Sequence, residues 1–168
     1  MSQYSVRRLG NVLGFLVCAG LLGYAYVLQL VDELEPCPLC IFQRLAFFGL
    51  GVVFLVAAIH HPGRGRSRVG SRIYAVLAGL ASASGAAIAA RHVWIQHLPP
   101  DQVPECGPGL DYMLNVFPLW DTVKEVLSGS GECAEVSWTF LGLTIPGWSF
   151  IAFVVLGIGG VLVNWRGR

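Results

Sequence analysis

The sequence predicts an all-α membrane protein, a bundle of four transmembrane helices with a long outer loop, and three observations predict it. First, 55% of the 168 residues are hydrophobic and 12% are charged, against about 25% charged residues in ordinary soluble domains; the mean hydropathy is +0.64. Second, four apolar runs, about 9–31, 41–59, 73–92 and 145–163, each approach the roughly 20 residues that cross a hydrocarbon core. Third, the charges are segregated. Every acidic residue lies in Asp32–Glu35 or between Asp101 and Glu135, while most arginines lie at Arg7–Arg8, Arg64–Arg72 and Arg166–Arg168. The net charge of +1 carries no information, but its distribution is a topology signal. The length suits one domain, 1–168.

With four spans both termini share a side with the arginine-rich loop, about 60–72, and short arginine-rich loops are cytoplasmic by the positive-inside rule. The loops at about 32–38 and 93–144 are then outside. The first run follows Arg7 and Arg8 but is longer than the 7–15 residues of a signal h-region and lacks a small-x-small site, so it reads as a retained helix. Tyr24 and Tyr26 suit an aromatic belt at its outer end. The arginines at 64–68 also fit an anionic-lipid or nucleic-acid patch, but their place between two spans favours a topology signal, and no nucleic-acid partner is expected.

The second run opens on Glu35-Pro36-Cys37-Pro38-Leu39-Cys40-Ile41-Phe42-Gln43-Arg44. Cys37 stands at a helix N-cap, Pro38 at the first helical position and Cys40 inside the first turn. Unpaired N–H groups and the positive dipole end favour a thiolate there. Arg44, at i+4 from Cys40, shares its face. An arginine costs up to about 2.5–3.5 kcal/mol at a membrane helix centre, so it needs an anionic or polar partner: the thiolate or an electron-accepting ligand beside it.

The third run is rich in Ala, Gly and Ser between Ala78 and Ala86, which permits close helix approach. It ends in Arg91-His92-Val93-Trp94-Ile95-Gln96-His97 at the outer interface, level with Cys40 and Arg44. His92 and Gln96, at i and i+4, either sit solvated or share a face toward a carbonyl-bearing ligand. The outer loop is too long for a passive connection. Its proline-rich first part, Leu98–Gly109, is expected to be irregular. From Pro118 an amphipathic helix is expected, with Leu119, Trp120, Val123, Val126 and Leu127 on one face. It would lie in the membrane interface or pack on the protein's own outer surface. Ser128–Gly131 ends it. Trp138–Leu143 returns the chain to the bilayer, and Pro146 suits the first turn of the fourth helix.

Of five cysteines, Cys18 is alone mid-span and reads as a packing residue. The other four face the side where disulfides persist and allow three pairings. Cys37–Cys40 is the natural redox pair, leaving Cys106 and Cys133. A staple between those two would contribute roughly 3.6 kcal/mol on the chain-entropy model, yet the exposed setting of Cys106 favours attack by another thiolate. Zinc ribbons repeat the Cys-x-x-Cys, which this chain does not, so no metal is expected.

The Cys-x-x-Cys followed by Ile-Phe-Gln-Arg, the outer loop with two more cysteines, and Gly131–Trp148 (Gly-Glu-Cys-Ala-Glu…Trp-x-Phe-Leu-Gly-Leu-x-x-Pro-x-Trp) together resemble the disulfide bond formation protein B (DsbB) family over nearly the whole chain. The resemblance implies a four-helix bundle in the bacterial inner membrane with a periplasmic outer loop. It implies that Cys106 is attacked by a reduced DsbA-type thioredoxin-fold partner, that Cys133 is its disulfide mate, and that Cys37 exchanges with Cys133 while Cys40 faces a membrane quinone (ubiquinone or menaquinone). Arg44 falls on the family's quinone-side arginine, and His92 and Gln96 on the polar residues ending its third helix. The chain differs from the family pattern at Pro38, Gln43 and His97.

A structural disulfide below about −300 mV could not reoxidise a DsbA-type oxidant at about −120 mV, because the step would be uphill by roughly 8 kcal/mol. The loop pair must therefore be strongly oxidising or be drained downstream. Two competing readings are a vitamin K epoxide reductase-like quinone reductase, set apart by the direction of electron flow, and a non-enzymatic disulfide-stapled scaffold, which would tolerate Cys40→Ser.

Overall fold

The computed structural model describes residues 3–31, 33, 36–60, 68–104, 107 and 110–165. Four long helices dominate: α1 (Gln3–Val31), α2 (Pro38–His60), α3 (Arg68–Gln96) and α6 (Ile145–Trp165). Each is long and apolar enough to cross a membrane, with mean hydropathy between 1.8 and 2.2. The helices overrun the apolar runs: α3 begins in the arginine-rich loop and continues through the Arg91–Gln96 cluster. Helix propagation needs only backbone hydrogen bonding, so polar residues extend a span beyond the hydrocarbon.

The bundle runs α1–α2–α3–α6, and α3 packs most extensively on α6. Small residues make that seam. A Cβ at Gly85 would run into the Phe153 ring, and one at Gly157 into Ser82. The Ser82 hydroxyl donates to the Phe153 carbonyl, and Phe153 stacks on Phe47 of α2 with centroids 3.9 Å apart. Van der Waals contact and interhelical hydrogen bonds replace the hydrophobic drive that lipid cannot supply. Cys18 is buried in this core beside Phe47, Leu50 and Phe54.

Helix α1 meets α6 sparingly. At one end Asn11 and Asn164 exchange two amide hydrogen bonds of 3.1 and 3.0 Å, and Ser71 of α3 donates to the Asn164 carbonyl. Toward the other end the two helices part around a cavity.

Between α3 and α6 run α4 (Leu110–Val116), α5 (Leu119–Ser128), a 3-10 turn at Gly131–Cys133, and a hairpin of β1 (Thr139–Phe140) and β2 (Leu143–Thr144). The expected amphipathic helix is α5, but its apolar stripe is divided. Thr122 and Val126 face the protein, while Leu119, Trp120 and Leu127 are exposed. Thr122 takes the inward place because its hydroxyl donates to the Met113 carbonyl of α4. The hairpin turn has positive φ at both Leu141 (51°) and Gly142 (80°), as tight β-hairpins require.

The Asn pair is the main polar lock between α1 and α6 among the described residues. Asn11→Leu should strand the Asn164 side-chain oxygen, whose amide N–H keeps the Gly160 carbonyl at 2.9 Å, and lower stability by about 1 kcal/mol. Adding Asn164→Leu should recover part of that loss, and a denaturing-detergent titration of both variants reads the difference.

Candidate redox site

Helix α2 starts at Pro38, and the Cys37 carbonyl accepts its first hydrogen bond, from the Ile41 N–H at 3.1 Å. Cys37 is therefore the N-cap, and Cys40 is one turn in. Their sulfurs are free thiols 3.2 Å apart. Pro38 costs nothing there, because the first N–H groups of a helix have no internal partner.

His92 of α3 comes up against this pair, with Nε2 3.8 Å from the Cys37 sulfur and Nδ1 3.9 Å from the Cys40 sulfur. Both ring nitrogens have stronger partners. Nδ1 accepts from the Gln43 side-chain amide at 3.0 Å, and Nε2–H donates to the Cys133 carbonyl at 3.1 Å. An amide N–H only donates and a carbonyl only accepts, so the imidazole carries its proton on Nε2. Gln43, His92 and Cys133 are 4%, 2% and 0% exposed, and each bond is sheltered from competing water.

The turn carrying Cys133 is delivered from the end of α5. Arg91 Nη2 donates to the Ser128 carbonyl at 2.9 Å and its Nε to that of Leu127 at 3.3 Å, capping the helix C-terminus with a cation. Gly129 then turns the chain at φ +89°, where a Cβ would collide with Ile95. Only glycine serves at that point. Cys133 ends beside Cys37 in one buried cluster, and that neighbouring thiol, then burial, push the Cys133 thiol well above the usual range. The Ser130 hydroxyl, 3.6 Å from its sulfur, acts the other way.

Arg44 lies on the face predicted, but its partners are on α1. Its guanidinium donates to the Gln29 side-chain oxygen at 2.5 Å and the Ala25 carbonyl at 3.1 Å, and lies 5.2 Å over the Tyr26 ring. Gln96 accepts from the Thr144 hydroxyl at 2.8 Å, tying α3 to β2. His97 turns away and bonds its own helix at Val93. Arg44, His92 and Gln96 nevertheless line one cavity together with Cys37 and Cys40. Its volume is about 630 Å³, and its walls are mostly apolar, including Leu21 and Leu28 of α1, Phe47 of α2 and Ile151 and Val155 of α6. Cys106 lies outside the described residues.

The family model for disulfide bond formation protein DsbB matches residues 7–163. The chain belongs to the DsbB family. It is 53% identical over 155 residues to disulfide bond formation protein B of Methylococcus capsulatus, covering 92% of each chain. The protein of that name from Hahella chejuensis is 54% identical over 154 residues, 92% of this chain and 91% of its own. The Chromohalobacter salexigens protein is 54% identical over 156 residues, 93% of this chain and 88% of its own. DsbB proteins reoxidise DsbA-type proteins, and this chain is accordingly a membrane-embedded, disulfide-forming oxidoreductase.

Two residues that sequence reasoning gave no role hold the DsbB site together. Gln29 is a polar residue within an apolar run, which is itself a signal. Gln43 stood out only as a difference from the family pattern.

Because Cys37 and burial hold the Cys133 thiol protonated, its alkylation in the reduced protein should keep accelerating above pH 8.5, the ordinary thiol value. Cys37→Ala should move that profile to lower pH, as stopped-time labelling with mass detection would record.

Proposed function

We propose that the chain moves electrons from a DsbA-type periplasmic dithiol through two cysteine pairs, Cys106–Cys133 and Cys37–Cys40, to a membrane quinone. The observation that carries this reading is that Cys133 is buried beside Cys37 while Cys40 faces an apolar cavity. In the proposed sequence a partner thiolate attacks Cys106, a mixed disulfide forms and Cys133 leaves as a thiolate. Cys133 then attacks Cys37, the Cys37–Cys40 bond breaks, and Cys40 leaves as a thiolate. The partner's second thiol resolves the mixed disulfide, and the partner departs oxidised. The freed Cys106 thiol resolves the Cys37–Cys133 bond. Two electrons and two protons have then entered the Cys37–Cys40 pair, now a dithiol.

The N-terminal end of α2 favours Cys40 as the leaving thiolate. His92 keeps the Cys133 turn in place while the sulfurs exchange. The cavity suits a flat apolar ring bearing oxygens: its walls are hydrocarbon, its volume lies in the range of small-ligand sites, and Arg44, His92 and Gln96 are its polar groups. A quinone bound there supplies the two-electron sink that returns the dithiol to a disulfide. Arg44, held by Gln29 and Ala25, is a fixed cation for charge developing on a bound oxygen.

The reading sets the site on the periplasmic face of the bacterial inner membrane, with both termini cytoplasmic. Its support is the arginine-rich segment at the other end of the bundle, where Arg72 stacks 5.6 Å over the interfacial Trp165.

An anaerobic assay of quinone reduction by reduced partner tests the proposal. Cys40→Ser should abolish quinone reduction while leaving exchange with the partner detectable. Arg44→Ala should slow quinone reduction by about 10²-fold and exchange much less. Equal losses in both half-reactions for Arg44→Ala would remove its assigned role.

A further inference from the structure

Cys37, Cys40 and His92 each bring a donor atom within 4.8 Å of the others. Zinc bound at about 2.3 Å to sulfur and 2.0–2.1 Å to nitrogen in a tetrahedron needs S···S near 3.8 Å and S···N near 3.6 Å. The two sulfurs stand 3.2 Å apart, and His92 Nδ1 is 3.9 Å from Cys40. Binding would part the two sulfurs, draw Nδ1 toward Cys40 and rotate the Cys37 side chain, which now lies 3.8 Å from Nε2, toward Nδ1.

A second observation points the same way. A metal-binding histidine characteristically gives its other ring N–H to a carboxylate or backbone carbonyl, which fixes the tautomer and raises ligand basicity. His92 already does this, donating Nε2–H to the Cys133 carbonyl at 3.1 Å. Its unprotonated nitrogen, Nδ1, faces the Cys40 sulfur at 3.9 Å, while the Cys37 sulfur lies 3.8 Å from Nε2. One group stands on that lone pair, the Gln43 amide at 3.0 Å, and it sits on a rotatable side chain.

We propose that the reduced protein binds one thiophilic divalent cation, of the zinc or cadmium kind, between Cys37, Cys40 and Nδ1 of His92, and that Gln43 competes with the cation for that nitrogen. Two sulfurs and an imidazole select such ions over magnesium or calcium. Binding forms two metal–sulfur bonds, releases the two thiol protons to water and transfers no electrons. The Cys37–Cys40 disulfide offers no thiolate, so the site exists only in the reduced state. A cation held there locks the pair reduced and stops turnover. The proposal needs only that the pair be reducible; it stands apart from which acceptor drains it.

Cobalt is the probe, because thiolate ligation gives it a charge-transfer band that zinc displaces. The full-length protein in detergent, carrying Cys106→Ser and Cys133→Ser, is reduced, freed of reductant and titrated. A single equivalent should bind with the thiolate band, and none after oxidation of the pair or in Cys40→Ser. His92→Ala should weaken binding roughly tenfold or more, and Gln43→Ala should tighten it. Binding that survives oxidation, or an affinity indifferent to His92→Ala, would overturn the proposal. Should His92→Ala fail to fold, Gln43→Ala decides: unchanged or weaker binding would equally overturn it.

Discussion

His92 is buried with both ring nitrogens committed, one to Gln43 of α2 and one to the backbone of the Cys133 turn. That ring, with the Arg91 cap and the Gln96–Thr144 bond, ties the outer loop to the bundle. Without a donor at Nε2, the Cys133 carbonyl would be buried with no partner, at a cost of about 1–3 kcal/mol, and only apolar packing against Leu39 and Ile95 would hold this turn at the mouth of α2. The Arg91 cap and the glycine turn at Gly129 bring the chain to the place. The imidazole keeps it there and leaves two cysteines far apart in sequence side by side in one buried cluster.

The bundle's own design makes room for this. Three of its seams are filled, and the α3–α6 seam is filled with glycine, alanine and serine so that backbones meet. The fourth side is pinned at one end by Asn11 and Asn164 and open at the other. An asymmetric bundle of this kind gives the thiol pair two faces: the Cys133 turn on one, and an apolar recess toward the lipid on the other. A fully packed bundle would bury Cys40 beyond any reaction, and a looser one would not hold Arg44 against Gln29 and Tyr26.

Much of this was legible in the sequence. Length and apolarity located the four spans, and the proline after Cys37 located the start of α2 almost to the residue, because a proline at a helix start has few other places to be. The small residues of the third run announced a close seam but not its partner, since a stripe of small residues is compatible with any neighbour. The stripe on α5 was legible as apolar, but its division was not, because the inward place of Thr122 depends on a carbonyl from α4. Arg44 was legible as needing a partner; that Gln29 supplies it follows from how α1 leans on α2. Least legible was Gln43, whose role exists only once α3 brings His92 beside it, and periodicity along one helix carries nothing about that meeting.

The central claim is that the fold presses the Cys133 sulfur against Cys37. It is tested most directly by mild oxidation of a Cys40→Ser, Cys106→Ser variant in membranes, followed by mass mapping of its disulfides. The account predicts a Cys37–Cys133 disulfide formed within the chain in nearly every molecule. Two free thiols, each still open to alkylation after oxidation, would contradict it.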